Sequence, residues 1–491
     1  MWSVSRSTSG ANDPAGINTS RLSLHPRAMA SAVRDQLMVM FLPKGFPRSV
    51  TPDYLSYTIW QFLHSVSGTV TGTLSTQALL HALGLGAAAS AGLAATTNWI
   101  IKDGFGLLGG VLYAGSVATK FDDQPKRFRF LSAALIQLST LLELLTPLIP
   151  HLFVPIASIS NIGKNIGWLA SSASRAAIHR GFTVTDNLGD VTAKAGAQST
   201  MAGLLGTVVG IGVSYFIGYS DPLTLLNVFL PLSIFNMVCC YQSNHVVVTR
   251  SLNVERAELA LHRLVGALLD TSLATSTTTV ASSPKHTALP VVPWTQDLVH
   301  RIAPLAVVSK SESFVRPYHS VLGGLPVLLE PPIAAHVARV RPHVLQALWR
   351  SQSENGDTGC RMMLSWRARA APFGAATTGP RGETSADMKT AGIEESMRVC
   401  LWFLEASTPG QHFEGFWHAC LARGLFLRRV GERGVEWKGS FEDMQVEFGK
   451  AVEDSRHLAR GTFEGVREEM VRGGWHVEFN HFGDRDARIQ A

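Results

Sequence analysis

The chain has 491 residues, 16% of them charged and 46% hydrophobic, with a formal net charge of +6. That length exceeds what one hydrophobic core organises and implies two or three folding units, while a charged fraction well below the usual value of about 25% is too small to solvate a large globular surface and points to lipid. The basic balance does not imply nucleic acid, because Lys and Arg are dispersed and no zinc-finger spacing or RNA-binding aromatic signature occurs; anionic lipid headgroups are the simpler partner.

Residues 1–36 are rich in Ser and Ala, carry Arg6, Arg21, Arg27 and Arg34, and lack the apolar stretch of a secretory signal. They read as a disordered or targeting tail, the latter addressing an organelle. Residues 37–255 read as a membrane domain. It opens on GFPRSVTPDYLSYTIWQFLHS, where Pro43, Pro47 and Pro52 punctuate the chain. Tyr54, Tyr57 and Trp60, with Lys44 and Arg48 nearby, suit either a headgroup interface or the edge of a core. Between Asp53 and Lys102 there is no Asp, Glu, Lys or Arg.

The segment between Asp103 and Lys120 is short for a span and is expected to be half of a broken or tilted helix. Residues 131–150, LSAALIQLSTLLELLTPLIP, have Glu143 as their only charge and about the twenty-residue length of a spanning helix. Two further charge-free runs, on either side of Asp221, predict a helical hairpin turned at Tyr219, Ser220, Asp221 and Pro222. Glycines four apart, at Gly68 and Gly72, Gly106 and Gly110, and Gly206 and Gly210, predict close helix contacts and offer a route to self-association or pairing with a related chain. Basic residues sit in both candidate loops, around Lys126 and around Arg175, so orientation stays open.

Residues 256–290 read as an amphipathic helix and a Ser/Thr-rich linker, 291–387 as poorly defined and partly linker, and 388–485 as a soluble C-terminal domain of mixed helix and strand pattern. Trp402, Trp417, Trp437 and Trp475 in that last unit suit a core or an interaction surface. The expected fold class is mainly α: a multi-pass helical membrane domain with a smaller α/β-type soluble C-terminal segment. Five scattered cysteines, Cys239, Cys240, Cys360, Cys400 and Cys420, give neither a disulfide framework nor a metal site. His64, His81 and His151, isolated in apolar surroundings, read as structural.

The polar residues beside the apolar runs are the candidate site. If residues 162–179 are helical, Lys164, Trp168, Ser171 or Ser172, Arg175 and His179 share a face, and Asn187, Asp190, Lys194 and Gln198 form a second row. Two such rows facing each other would line a cavity, since ionisable groups inside a membrane pair or line a passage. The alternative is an extramembrane loop over residues 161–198 with an ordinary Asp190–Lys194 surface pair. Lys164, Arg175, His179, Asp190, Lys194 and Gln198 are therefore the ligand or transport candidates. NIGKNIG around Lys164 lacks P-loop spacing, and an imine on Lys164 or Lys194 would need an activated amine and a phosphate cradle.

FLPKGFPRSVTPDYLSYTIWQF, ATTNWIIKDGFGLLGGVLYA, FDDQPKRFRF, SISNIGKNIGWLASSASRAAIH and NLGDVTAKAGAQST, in this order over residues 40–255, resemble the root UVB sensitive family. At Ala133 and Gln137 the chain departs from the acidic residues the family often carries before the Leu-Glu pair. The resemblance implies an integral membrane protein, in plants tied to seedling light sensitivity, auxin movement and pyridoxal phosphate homeostasis, with no settled reaction. The expectation is a non-enzymatic scaffold or small-solute carrier in a membrane, plastid or mitochondrial by extension. The alternative is a soluble or membrane-associated protein or enzyme that binds pyridoxal phosphate or another phosphorylated ligand; no cofactor is evident from the residues, and pyridoxal phosphate enters by family association only.

Overall fold

The computed structural model describes residues 36–83, 92–117, 121–217, 222–279, 288–315, 327–329, 360–366, 397–403, 407–432, 441–478 and 482. Six long helices make the N-terminal unit: α1 (Tyr54–Ala82), α2 (Gly92–Val117), α3 (Pro125–Leu144), α4 (Phe153–Phe182), α5 (Leu188–Ile217) and α6 (Pro222–Val246). Pro125 opens α3 at a position where a missing N–H costs nothing. Pro222 likewise opens α6; the rest of the expected hairpin turn, residues 218–221, lies outside the described residues. α4 and α5 have 30 residues each, about 45 Å at 1.5 Å per residue, so both exceed the roughly 30 Å of a hydrocarbon core.

Two expectations change here. The segment after Asp103 is not half a helix: α2 runs unbroken for 26 residues, because the small residues of GFGLLGGVLYAG pack along α4 without interrupting backbone hydrogen bonding. Residues 161–198 do not form a loop, since only residues 183–187 separate α4 from α5. That connection is pinned to the chain before α1, where Thr51 N donates to Phe182 O at 3.0 Å and Val184 N to Ser49 O at 3.3 Å. Tyr54 and Tyr57 belong to a core there with Val50, Ile178, Phe182, Val191 and Val247 and do not reach out to an interface. His64 is partly buried and faces the Asn236 carbonyl at 3.2 Å, whereas His81 and His151 are exposed near helix ends.

α1 packs against α5 and α6, α3 against α4 and α6, and α2 against α4. Glycine sets the closest of these approaches: a Cβ at Gly206 would stand 2.7 Å from the Val66 carbonyl oxygen of α1, a distance only a bare backbone tolerates. The outward surface is apolar. Phe216 is 88% exposed and Val111 70%, and Ile100, Leu107, Leu112, Leu204, Val208, Ile211, Leu223 and Ile234 are exposed with them. Three helical stretches, Pro125–Leu148, Leu188–Ile217 and Leu223–Val246, are long and apolar enough to cross a membrane by length and composition.

The C-terminal unit is built on α7 (Val254–Thr279), two short helices α8 (Gln296–Val299) and α9 (Leu305–Ser311), and a sheet of β1 (Val327–Leu329), β2 (Cys360–Trp366) and β3 (Met397–Phe403) in the order β1-β3-β2, with α10 (Pro409–Glu432) and α11 (Phe441–Arg472) against it. β1 runs parallel to β3 and β2 antiparallel to it. α7, placed with the linker by its sequence, contributes Leu261, Leu264, Val265 and Leu268 to one core with Phe416, Trp417, Phe448 and Trp475. Trp402 is fully buried too; Trp437 lies outside the described residues. Glu258 of α7 and Arg423 of α10 pair at 2.5 Å inside this core, both fully buried.

Candidate functional site

The interior of the N-terminal unit is polar where its surface is apolar. Glu143, the lone charge of its apolar window, sits on α3 with a side chain 2% exposed and accepts hydrogen bonds from Lys164 of α4 and Ser75 of α1. A carboxylate at that depth requires a cation, and Lys164 lies on the neighbouring helix. Nearly two turns along, Gln137 of α3 donates to the Asn236 side chain of α6 at 3.0 Å, and Asn236 donates to the His64 carbonyl at 2.7 Å and to Ser67 at 3.0 Å. Further along, the buried Arg129 donates to the Ser171 carbonyl at 2.8 Å. The polar groups thus stack across α1, α3, α4 and α6, partnered by neighbouring helices in place of water except for Gln137 Oε1, which has no partner.

The two predicted rows meet at one end only. Arg175 and His179 of α4 and Gln198 of α5 line a cavity of about 20 Å³ together with Tyr54, Tyr57, Thr58, Gln61, Phe62, Ser65, Ala195 and Ser199. Three buried atoms on this lining have no hydrogen-bond partner: Arg175 Nε, the Tyr57 hydroxyl and Gln61 Oε1. The His179 ring stands edge-on to Tyr57, centroids 6.4 Å apart. Trp168, on the same row, is 56% exposed and points away from this interior.

The rest of the second row is engaged by the chain before α1. Asp190 accepts from Lys44 N at 2.6 Å, Lys194 donates to the Val39 carbonyl at 2.6 Å, and Gln198 donates to the Phe41 carbonyl at 2.6 Å and to the Tyr54 hydroxyl at 3.4 Å. Asp190 and Lys194 therefore hold a strap, residues 39–44, across α5, and the expected Asp190–Lys194 pair does not occur among the ion pairs of the described residues. Neither lysine suits an imine with pyridoxal phosphate. Lys164 is held by Glu143 and Ser75 and Lys194 by the Val39 carbonyl, and neither lies on the lining of the cavity. No group of three or more His, Cys, Asp or Glu placed to hold a metal occurs among the described residues.

A second charged cluster, unforeseen because its members are far apart in sequence, joins the two units. Glu312, beside α9, pairs with Lys126 of α3 at 3.1 Å and with Arg256 of α7 at 3.0 Å, all three side chains at most 4% exposed. Lys126 also donates to the Ser309 hydroxyl at 2.8 Å, and Arg256 to the Asp123 carbonyl at 2.6 Å. Burial by itself raises the Glu312 carboxyl, but the Arg256 and Lys126 charges outweigh it and hold the group below the ordinary carboxylate range. Glu255, buried next to this cluster, is pushed up to about 7 by desolvation, against the Ser313 N–H it accepts.

Comparison with known proteins places this architecture. A family sequence model described as a vitamin B6 photo-protection and homoeostasis domain matches residues 27–267. Among curated proteins, root UVB sensitive 3 of Arabidopsis thaliana is 34% identical over 230 residues, 47% of this chain and 52% of that one. RUS family member 1 of Dictyostelium discoideum is 35% identical over 225 residues, 45% of this chain and 43% of its own length. Root UVB sensitive 2, chloroplastic, of Arabidopsis thaliana is 36% identical over 185 residues, 38% of this chain and 42% of that protein. The aligned part spans about half the length of the curated relatives it matches. No solved structure matches the chain. Through residues 27–267, the chain belongs to the root UVB sensitive family.

Proposed function

We propose that residues 37–255 form a multi-pass membrane domain whose polar interior binds or carries a small solute without chemical conversion, serving vitamin B6 homoeostasis. The observation that supports this is the inversion of polarity: exposed apolar side chains on α2, α5 and α6 surround buried Glu143, Gln137, Asn236 and Arg129 and partly buried Lys164 and Arg175. Water as the outer solvent would favour the opposite arrangement, whereas lipid requires it. The matched family description supplies the link to vitamin B6, and a relative named as chloroplastic favours an organellar membrane. Gly196 and Gly203, seven residues apart on one side of α5 with open Cβ positions, offer a face for self-association in that bilayer.

Membranes from cells expressing the full chain, washed in alkaline carbonate, test the reading. Retention in the pellet, with alternating protease access to tags in successive loops, is expected. Release into the supernatant would overturn it. The alternative of an imine-bound pyridoxal phosphate is weighed by incubating the purified chain with that compound: the engaged lysines favour no visible absorbance band and no adduct after borohydride reduction.

A further inference from the structure

We infer that the cavity between α1, α4 and α5 is an oxyanion site that takes the carboxylate or phosphate end of its ligand, whether a free metabolite or a lipid headgroup. The inference rests on the solute-binding reading and names the chemical class of the solute.

Three observations carry it. The first is the set of unpartnered atoms. Arg175 Nε and the Tyr57 hydroxyl are buried donors with nothing to donate to, and Tyr57 is only 3% exposed. A guanidinium can only donate and keeps its charge, so the missing partner is an acceptor. Gln61 Oε1, the third unpartnered atom, suits an O–H on the same ligand, as a singly protonated phosphate or a neighbouring hydroxyl would present.

The second is charge balance. Lys102, Lys126 and Lys164 each have a carboxylate partner, Asp103, Glu312 and Glu143 respectively. Arg129 and Arg175 have none among the described residues, and they act on each other as like charges. Two cations withdrawn from water without an anion are costly, and a bound anion offsets that cost in a way a neutral solute does not. The third is access. Ser199, on the lining of the cavity, is exposed, so the cavity opens to the surface along α5 beside the strap that Gln198 holds. Its size, about 20 Å³, admits one or two oxygen atoms of such a group, the rest of the ligand lying outside that opening.

The test uses the full chain in neutral maltoside micelles, dialysed to equilibrium against radiolabelled inorganic phosphate and, separately, labelled acetate. Nanodiscs of phosphatidylcholine with and without phosphatidic acid distinguish a headgroup from a free anion: competition by phosphatidic acid identifies the former, its absence the latter. Saturable binding of one of these probes is expected. Arg175→Gln should weaken it at least about tenfold, the loss typical of a charged hydrogen bond, and Tyr57→Phe by a smaller factor. Arg175→Lys should keep part of the affinity, and Arg180→Gln, an exposed cation on the same helix, should change nothing. No saturable binding of any probe, or equal binding by Arg175→Gln, overturns the site; if Arg175→Gln does not fold, unchanged affinity in Tyr57→Phe overturns it instead. Carbonate extraction of the same preparations separates the two proposals. Release from membranes with anion binding intact refutes the membrane reading alone, and retention without binding refutes the anion site alone.

Discussion

Replacing Glu312 should loosen the junction between the two units, and the size of the effect follows from its partners. Lys126 and Arg256 both lie within 3.1 Å of its carboxylate, and their side chains are at most 1% exposed. Removing the carboxylate leaves two buried cations that also repel each other. Breaking a buried pair from one side costs about 3–5 kcal/mol. In Glu312→Gln the amide oxygen still accepts one hydrogen bond, which puts the loss near the lower figure, while Glu312→Ala approaches the upper one. The opening is local, because α9 is short and is held by this cluster together with Ser309, whose hydroxyl donates to the Val247 carbonyl at 2.8 Å. Hydrogen exchange is therefore the suitable assay. A loss of about 3 kcal/mol corresponds to roughly a hundredfold fall in amide protection at about 1.4 kcal/mol per decade, seen at Val308 and Glu312, whose amides donate to Pro304 and Val308 carbonyls. The double variant Lys126→Met/Glu312→Gln should recover part of the loss. Protection in Glu312→Ala within about threefold of the unsubstituted chain would refute the assignment of this cluster as the clamp.

Three other outcomes are expected. Gly206→Ala should separate α1 from α5 and cost about 1–3 kcal/mol, because the new Cβ meets the Val66 carbonyl at 2.7 Å. Gly203→Ala on the same helix, with nothing within 4 Å, should melt in detergent like the parent, and equal melting of the two variants would contradict the packing described. Glu143→Gln should destabilise by about 3 kcal/mol, and Glu143→Leu/Lys164→Met by less than either single change, in thermal unfolding read from the helices. The pH response should carry two opposed parts. Desolvation lowers His418 to about 4, so between there and 6.5 the unfolded chain binds the extra proton, and this contribution is lost as pH falls through that window. Desolvation raises Glu255 to about 7, so the folded chain holds the extra proton above 4.5, and this contribution is lost as pH rises through 7. Each amounts to about 3 kcal/mol at most. Denaturant melts of His418→Gln should lose the acid-side slope and those of Glu255→Gln the neutral-side one, and slopes unchanged in both variants would refute the assignment.

The apolar helices were legible because charge gaps are local. Residues 131–150, and the runs on either side of Asp221, announce α3, α5 and α6 by composition alone. α4 and the first half of α5 were ambiguous because polar residues at helical spacing look the same whether they face water or another helix. Their partners decide it, and Glu143 with Ser75 or Phe41 with Val39 are distant in sequence. The cavity was half legible. Arg175, His179 and Gln198 fall on the expected rows, but Tyr57 and Gln61 sit in a stretch whose aromatics matched a headgroup interface equally well. The Lys126–Glu312–Arg256 cluster left no local signature, since Glu312 falls in residues 291–387, which read as poorly defined and partly linker. Glu143 did carry a signal, because an isolated carboxylate in an apolar helix demands a cation, and only the choice of Lys164 needed the fold.

α7 carries a consequence for how the two units depend on each other. The family match ends at residue 267, within a helix that runs from Val254 to Thr279. Leu261, Leu264 and Val265 lie before that point and Leu268 and Leu269 after it, and all five are in the C-terminal core. A chain ended at 267 would expose three leucine and valine side chains that normally meet Trp417 and Phe416, and would shed the carboxylate that neutralises Lys126 and Arg256. The unit defined by similarity and the unit whose packing is complete are therefore different lengths of the same chain, and the C-terminal half acts as the cap that completes its neighbour.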